Sequence, residues 1–498
     1  MVAVEHIQQA LAASLIYFYP VAHFARTFGP LIEKGVNTFE HQSLTSSSDL
    51  QVVTRANIDT VYSRAVIDLS ENDVLMTIPE IPDVRTHIFP FHDFYGNSFA
   101  ILGSFNNASE GSWRLTLGEP GQSAIEISDH GDSCDPDAVT GTVYFPTTYG
   151  SIFPRLLLLN EPDDQRAIAD IQKKLTLQQI PRRKKDRHGK GASRIGKGAP
   201  RLTTDLINVS GLSPGSYLSP AAYDRANITM LLDVAHRLIK YNLPVSQEIV
   251  NDQVLRNLSI AGAKGKKPYS IPCNVNLDTV RALVQARLDA ALADPGNYGA
   301  PSDDSRADWR WFERLGDFGL GFDWRAQITS QGYLGITTEQ YLALIYTGGK
   351  SPIGAMSLVE GEAFVWTFNG RPPLEKPGGF WSLTVYNAEG FLVSNQYNRF
   401  GLGDRSNLTY ANGEEVYPSG AREMPAQAQN ENGDGSFQIL LQSVDNPPPA
   451  NWTSNWIPTP AESNATFFIN IRLYGPTEEL IDGPYDFPVR TKVDAISQ

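Results

Sequence analysis

The far end of the chain leaves the fold little choice. "SFQILLQS" (436–443) and "ATFFINIRLYG" (465–475) carry apolar side chains at alternate positions over strand lengths. A period of two buries one face of a sheet, whereas a helix repeats its apolar stripe every three to four residues. "EAFVWTFNG" (362–370) and "GFWSLTVYN" (379–387) precede them, set apart by turn-rich segments. Shorter runs of the same kind, "VLMTIP" (74–79), "RTHIFPF" (85–91) and "SWRLTLG" (112–118), are broken by Gly, Pro, Asn and Asp. The reading is mainly β with α: a mostly antiparallel β domain over 41–180 and a second, sandwich-like one over 351–498. No β-α-β alternation and no internal repeat supports a parallel sheet with helical crossovers.

Helical spacing appears in three places. Residues 1–40 open with "VEHIQQALAASLIYFYPVAHFARTF", an acidic residue and a histidine standing where a signal peptide carries basic ones, so the segment reads as an amphipathic helix of the fold. A short helix is expected over 162–178. A longer helical region spans 219–350: one helix opens with Ser219-Pro220 as cap and first turn, and another ends at Pro295-Gly296. Between them, 181–218 begins with "PRRKKDRHGKGASRIGKGAPR", basic, glycine-rich and almost free of large apolar side chains, which reads as an exposed loop.

The 498 residues, 41% of them hydrophobic, suffice for a large core in two or three domains. A net charge of −14 argues against nucleic acid or an anionic membrane as the partner, and no run approaches the roughly 18 apolar residues of a spanning helix. A small molecule is the expected partner. Seven Asn-x-Ser/Thr sequons, at Asn107, Asn208, Asn227, Asn257, Asn407, Asn451 and Asn464, lean weakly towards secretion. Cys134 and Cys273 could pair or remain free thiols.

Familiar catalytic motifs fail on chemistry. "GLSPG" (211–215) resembles a nucleophile elbow, but the residue that must donate its N–H to an oxyanion is Pro214, which has none. "GASRIGKG" (191–198) nearly spells a phosphate loop, but Gly198 stands where a magnesium-binding Ser or Thr is required. In "HIFPFHDFYGN", a strand would send His87 and Asp93 to one face and His92 to the other, so the histidines cannot share a metal without a bulge. No metal, flavin, haem or nicotinamide cofactor is expected.

"RANIDTVYSRAVIDLS" (55–70) places Asn57, Asp59 and Thr60 directly before a strand. Together with "FHDFYGNSF", "GFWSLTVYNAEGFLVSNQYNRFGLGDRSNLTY", "NWIPTP" and "IRLYGPTEELIDG", this stretch resembles the paired domains of unknown function numbered 1254 (N-terminal) and 1214 (C-terminal). The resemblance runs from the opening helix to about residue 488. The basic insert of 181–201 and the missing proline in "NQYNRF" depart from the family pattern. It implies two β-sandwich or jelly-roll-like domains joined by helices, with homo-oligomers among its members, and it implies a fold rather than a reaction. The matching motif positions are Asn57, Asp59, Thr60 and Tyr62, then Trp381, Tyr386, Asn398, Arg399, Asp404 and Arg405.

Two readings of these positions stand side by side. In the structural one, Asn57 and Asp59 close a turn, Thr60 starts a strand and Arg399 pairs with Asp404. In the functional one they converge with Tyr62, Tyr95, Trp381, Tyr386 and Asn398 on an aromatic-lined pocket near the domain junction. Asp59 or Asp93 would then be general acid or base, with Arg399 or Arg405 stabilising negative charge, in a cofactor-free enzyme acting on a hydrophobic small molecule by hydrolysis or non-redox cyclisation. A carrier using the same pocket without chemistry is the alternative. Limited trypsin should cut first within 181–201 and leave two associated fragments. Early cleavage elsewhere, with this stretch intact, would show it folded or covered.

Overall fold

The computed structural model describes residues 3–42, 55, 57–81, 85–106, 110–119, 122–128, 139–159, 163–182, 198–208, 223–243, 248–265, 267–299, 308–348, 354–375, 377–418, 435–483 and 485–497. The phosphate-loop-like stretch apart from Gly198, the elbow-like stretch, Ser219-Pro220, Cys134 and Asn107 lie outside them. Cys273 is an exposed free thiol.

Alternation is obeyed in the first sandwich. One sheet runs Glu40–His41, Thr60–Asp68, Arg155–Leu157, His87–Asp93 and Ser98–Gly103, with Tyr149–Ile152 bonded to both Thr60–Asp68 and His87–Asp93. The other runs Thr176–Ile180, Asp73–Ile78, Gly111–Leu117, Gly141–Phe145 and Ile125–Ile127. Ala65, Ile67, Phe89 and Phe91 from the first meet Met76, Trp113, Val143 and Phe145 from the second, all fully buried. Pairing is antiparallel except between Gly111–Leu117 and Gly141–Phe145.

The second sandwich pairs a sheet ordered Tyr298–Gly299, Trp309–Phe312, Tyr341–Tyr346, Phe467–Tyr474, Phe380–Asn387 and Gly401–Gly403 with one ordered Trp456–Thr459, Phe437–Ser443, Glu362–Phe368 and Val489–Asp494. Leu344, Trp381, Leu383 and Ile471 face Trp366, Phe437, Ile439 and Leu441. Its first three strands come from 298–346, within the stretch expected to be helical. Every residue of Tyr341–Tyr346 is buried, so both faces are apolar and the period that would mark a strand is lost.

Helices form a third layer. The helix Val4–Lys34 is buried around nearly its whole circumference from Leu15 to Ala25, which marks a core helix more than an amphipathic one. It packs on Arg225–Leu238, Glu248–Ile260, Leu277–Ala293 and Phe322–Gly332. Asp224 caps Arg225–Leu238 through the amide of Asn227 at 2.8 Å, and Asn276 caps Leu277–Ala293 through those of Asp278 and Thr279. Among the described residues no helix is long and apolar enough to cross a membrane.

The sandwiches meet through the outer faces of their six-stranded sheets. Ile88, Ile101, Leu157 and Leu159 pack with Tyr341, Ala343, Phe380 and Tyr474. His92 lies on this outer side just beyond a register shift between Phe91 and His92, and its Nε2 sits 3.1 Å from the carbonyl of Gly335. Full burial pushes its pKa down to about 3. The unfolded chain therefore takes up a proton near pH 6.5 that the folded one refuses, so stability present above that pH is lost as pH falls towards 3. The melting temperature should drop between pH 7 and pH 4 by less in His92→Gln than in the wild type. Equal drops in a pair of melting curves would remove His92 as a cause.

Candidate functional site

The polar turn before the strand Thr60–Asp68 ties the two sandwiches together. Asn57 Oδ1 accepts the Asp59 amide at 2.6 Å, an Asx turn, while its Nδ2 donates to Thr60 Oγ1 at 3.1 Å and to the Tyr474 hydroxyl at 2.7 Å. The turn thus forms as the structural reading expects and also reaches the second sandwich.

Asp59 goes further across. Its Oδ2 accepts the Ser382 hydroxyl at 2.5 Å, and its Oδ1 accepts from Arg405 Nη2. Arg405 Nη1 donates to Asp404 Oδ1 at 2.7 Å, an atom that also accepts the Trp381 amide at 3.2 Å. The guanidinium lies 4.7 Å from the centre of the Phe380 ring. Both side chains of the Asp59–Arg405 pair are only 5% exposed, so water screens little of their attraction and loss of either partner strands a buried charge. Arg405 Nε, itself buried, has no hydrogen-bond partner among the described residues.

Above this group opens a cleft of about 870 Å³, within the range of small-molecule sites. Asp59, Ser382 and Arg405 line it with Ile58, Leu158 and Phe400. Asn398 and Arg399 stand in its wall. Asn398 has φ +49°, in the left-handed region that asparagine tolerates, and Asn395 Oδ1 closes that turn by accepting the amides of Tyr397 and Arg399, each at 3.1 Å. Arg399 does not pair with Asp404 as the structural reading supposed. Its guanidinium donates to the carbonyls of Thr453 and of Trp456, the latter at 3.1 Å, and burial lowers its pKa. Asp404 is taken by its neighbour in sequence instead, because the turn after Gly401–Gly403 brings Arg405 beneath it. Glycine is required in that edge strand: a Cβ on Gly401 would sit 2.5 Å from the Leu383 carbonyl oxygen and 2.9 Å from Ile58 Cδ1.

The remaining expected residues fall elsewhere. Trp381 turns into the second core, its indole N–H donating to the Tyr417 hydroxyl at 2.8 Å. Tyr386 accepts from Arg472 Nη1 at 2.5 Å, and Tyr62 packs on Phe153 with Arg155 over its ring. Asp93 Oδ1 accepts the amides of Tyr95 and Asn97, both at 2.9 Å, and its Oδ2 accepts Asn97 Nδ2 at 2.7 Å, while the Tyr95 hydroxyl donates to the carbonyl of Asn242 at 2.5 Å. Burial raises the Asp93 pKa. These two residues pin a hairpin to the helical layer. Ser382 and Arg472 were missed, although alternation offers a signal: with Trp381, Leu383 and Leu473 inward, Ser382 and Arg472 must face out. Among the described residues no group of three or more His, Cys, Asp or Glu side chains is placed to hold a metal.

These features define a protein of two stacked sandwiches under a helical layer, with a polar, solvent-open cleft at their junction. Residues 36–179 match the family described as "Protein of unknown function (DUF1254)" and residues 357–478 that described as "Protein of unknown function (DUF1214)". The chain belongs to the family that pairs these two domains in this order. Among solved structures it is similar to the VPA0106 protein from Vibrio parahaemolyticus, at 15% identity and a TM-score of 0.57, over 98% of this chain and 100% of that one. A putative uncharacterized protein from Burkholderia cenocepacia aligns at 13% identity and a TM-score of 0.37, over 99% of this chain and 94% of that one. No curated protein matches the sequence.

Asp59→Asn keeps the size of the side chain but removes the charge facing Arg405. With Asp404 still present, the loss should be about 1–3 kcal/mol. A double-mutant cycle with Arg405→Met should show coupling of that order in denaturant unfolding, whereas additive losses would mean that the pair does not bind the sandwiches together.

Proposed function

We propose that the chain binds an amphipathic small molecule in the interdomain cleft, its polar end over Asp59, Ser382 and Arg405 and its apolar body against Ile58, Leu158 and Phe400. The observation that carries this reading is the position of a buried, charged cluster at the floor of an open cleft of about 870 Å³. A pocket of mixed lining with a few fixed polar groups is the general form of a small-molecule site. The hydrophobic ligand expected from the sequence becomes one with a polar head, since so many lining groups hydrogen-bond.

Catalysis is a second reading, favoured by one contact. The Ser382 hydroxyl points its proton at Asp59 Oδ2, which orients a hydroxyl beside a carboxylate as cofactor-free acyl transfer or hydrolysis would need. Both Asp59 oxygens are already engaged, so a substrate would have to displace the serine to use Asp59 as a base directly. Ordering a reactive chain for ring closure requires neither step.

Native mass spectrometry of protein purified from producing cells should show a bound organic molecule, released on denaturation. Ser382→Ala and Arg399→Lys should weaken its binding at least about tenfold, equivalent to about 1.4 kcal/mol, with little change in melting temperature. Early melting with undiminished ligand per folded molecule would reduce both residues to scaffolding. Turnover of that ligand by the wild type, lost in Ser382→Ala even at saturating ligand, would select the enzyme over the carrier.

A further inference from the structure

Beside the Asn57 turn, the interface between the sandwiches gathers three arginines. Arg55 and Arg155 come from the first sandwich and Arg472 from the second. Among the described residues none of the three forms an ion pair with a carboxylate, although every well-buried arginine elsewhere in the first sandwich does: Arg85 holds Asp164 at 2.6 Å and Arg114 holds Asp73 at 3.3 Å. What surrounds the three is aromatic and neutral. Arg472 Nη1 donates to the Tyr386 hydroxyl, and its Nη2 donates to the carbonyl of Arg55 at 2.6 Å. Arg155 lies over the Tyr62 ring, its Nη2 reaches the Leu334 carbonyl at 3.4 Å, and its buried Nε has no hydrogen-bond partner among the described residues. The phenols of Tyr341 and Tyr474 stand within electrostatic reach of both Arg155 and Arg472.

The tyrosines do not neutralise this charge. Burial pushes the Tyr386 and Tyr474 phenols above their ordinary range, so both stay protonated at neutral pH. The backbone is bent to serve the same arginines. Arg55 and Leu334 hold φ of +54° and +64°, a left-handed region costly for bulky residues, and the carbonyls of both face a guanidinium of the cluster. Solvent can reach the group, because Arg55, Tyr62, Phe153 and Arg155 are only half-buried while Arg472 and Tyr474 behind them are buried.

We propose that Arg55, Arg155 and Arg472, with the hydroxyls of Tyr341 and Tyr474, form a binding site for the carboxylate of a small organic acid. Guanidinium charges that no described carboxylate neutralises, one of them with a buried Nε lacking a partner among the described residues, fit an oxyanion. The aromatic rings packed around the arginines, Tyr62, Tyr341 and Tyr474 among them, favour an acid with an apolar or aromatic body over inorganic phosphate. Arg472 is the register partner of Ser382, so the site adjoins the Asp59 cleft, but it shares no residue with that cleft's lining and does not depend on the cleft's function.

Sodium benzoate, its neutral isostere benzamide, and inorganic phosphate are the probes, each titrated into the full chain by calorimetry and melting. Benzoate should bind and raise the melting temperature, benzamide should do neither, and phosphate should bind more weakly. Arg155→Met should bind benzoate at least tenfold less tightly while melting no earlier without ligand, since it removes an uncompensated buried charge. Should Arg155→Met not fold, Arg155→Lys, which keeps the charge but loses the fork, should show the same tenfold loss. Benzoate failing to bind, benzamide or phosphate binding as well as benzoate, or undiminished benzoate affinity in the folded arginine variant would each overturn the assignment.

Discussion

Arg405 sits between two carboxylates from different domains, and much of the molecule is arranged around that fact. Asp59 reaches it only because Asn57 folds the preceding turn, and Asp404 reaches it only because the edge strand Gly401–Gly403 lies tight against its neighbour. Replacing such a buried charged group by an apolar one often costs nothing, whereas removing one partner costs several kcal/mol. The pair therefore acts less as a source of net stability than as a demand for register: the sandwiches can stack only where the two carboxylates and the guanidinium coincide.

The apolar contact around the pair supplies the attraction that the charges direct. Tyr474 stacks on Phe380 with ring centres 4.1 Å apart and tilts against Tyr341 at 4.8 Å, both on the face that meets the first sandwich. Its hydroxyl accepts from Asn57. A single side chain thus joins the dry part of the interface to the polar turn beside the cleft, and a change there would be felt in both.

Legibility from the sequence followed the physics of one-sided burial. Strands with one wet or half-wet face, such as Phe437–Ser443 with Gln438 exposed, showed their period and were found. Tyr341–Tyr346, apolar on both faces between core and partner sheet, carried no period, and Trp309–Phe312, four residues with Arg310 partly exposed, was too short to show one; both were absorbed into a helical region. The candidate site divided along the same line. Asn57, Asp59 and Thr60 were legible because polar residues crowding a strand start demand a turn, and Arg405 followed from the family pattern. Trp381 and Ser382 are adjacent in sequence, but only the pleat decides which of them faces the cleft, and it turns the tryptophan into the core and the serine out. Arg155 and Arg472 went unremarked, because nothing in a single sequence says that the outer face of one sheet will be covered by the outer face of another.

The first helix carries a consequence for how the chain is made. Val4–Lys34 leaves the ribosome long before much of the surface that buries it, which belongs to helices spread from Arg225 to Gly332, and fully buried Arg325 donates to the carbonyl of Tyr17 at 2.9 Å. Until some three hundred further residues have been synthesised, a stretch including Leu11, Leu15, Ile16, Phe18, Phe24 and Phe28 has no complete shelter. Contacts so distant along the chain are slow to form, and exposed apolar helices recruit chaperones or one another in the meantime. The order of synthesis, and not only the stability of the finished protein, therefore bears on how much of it folds.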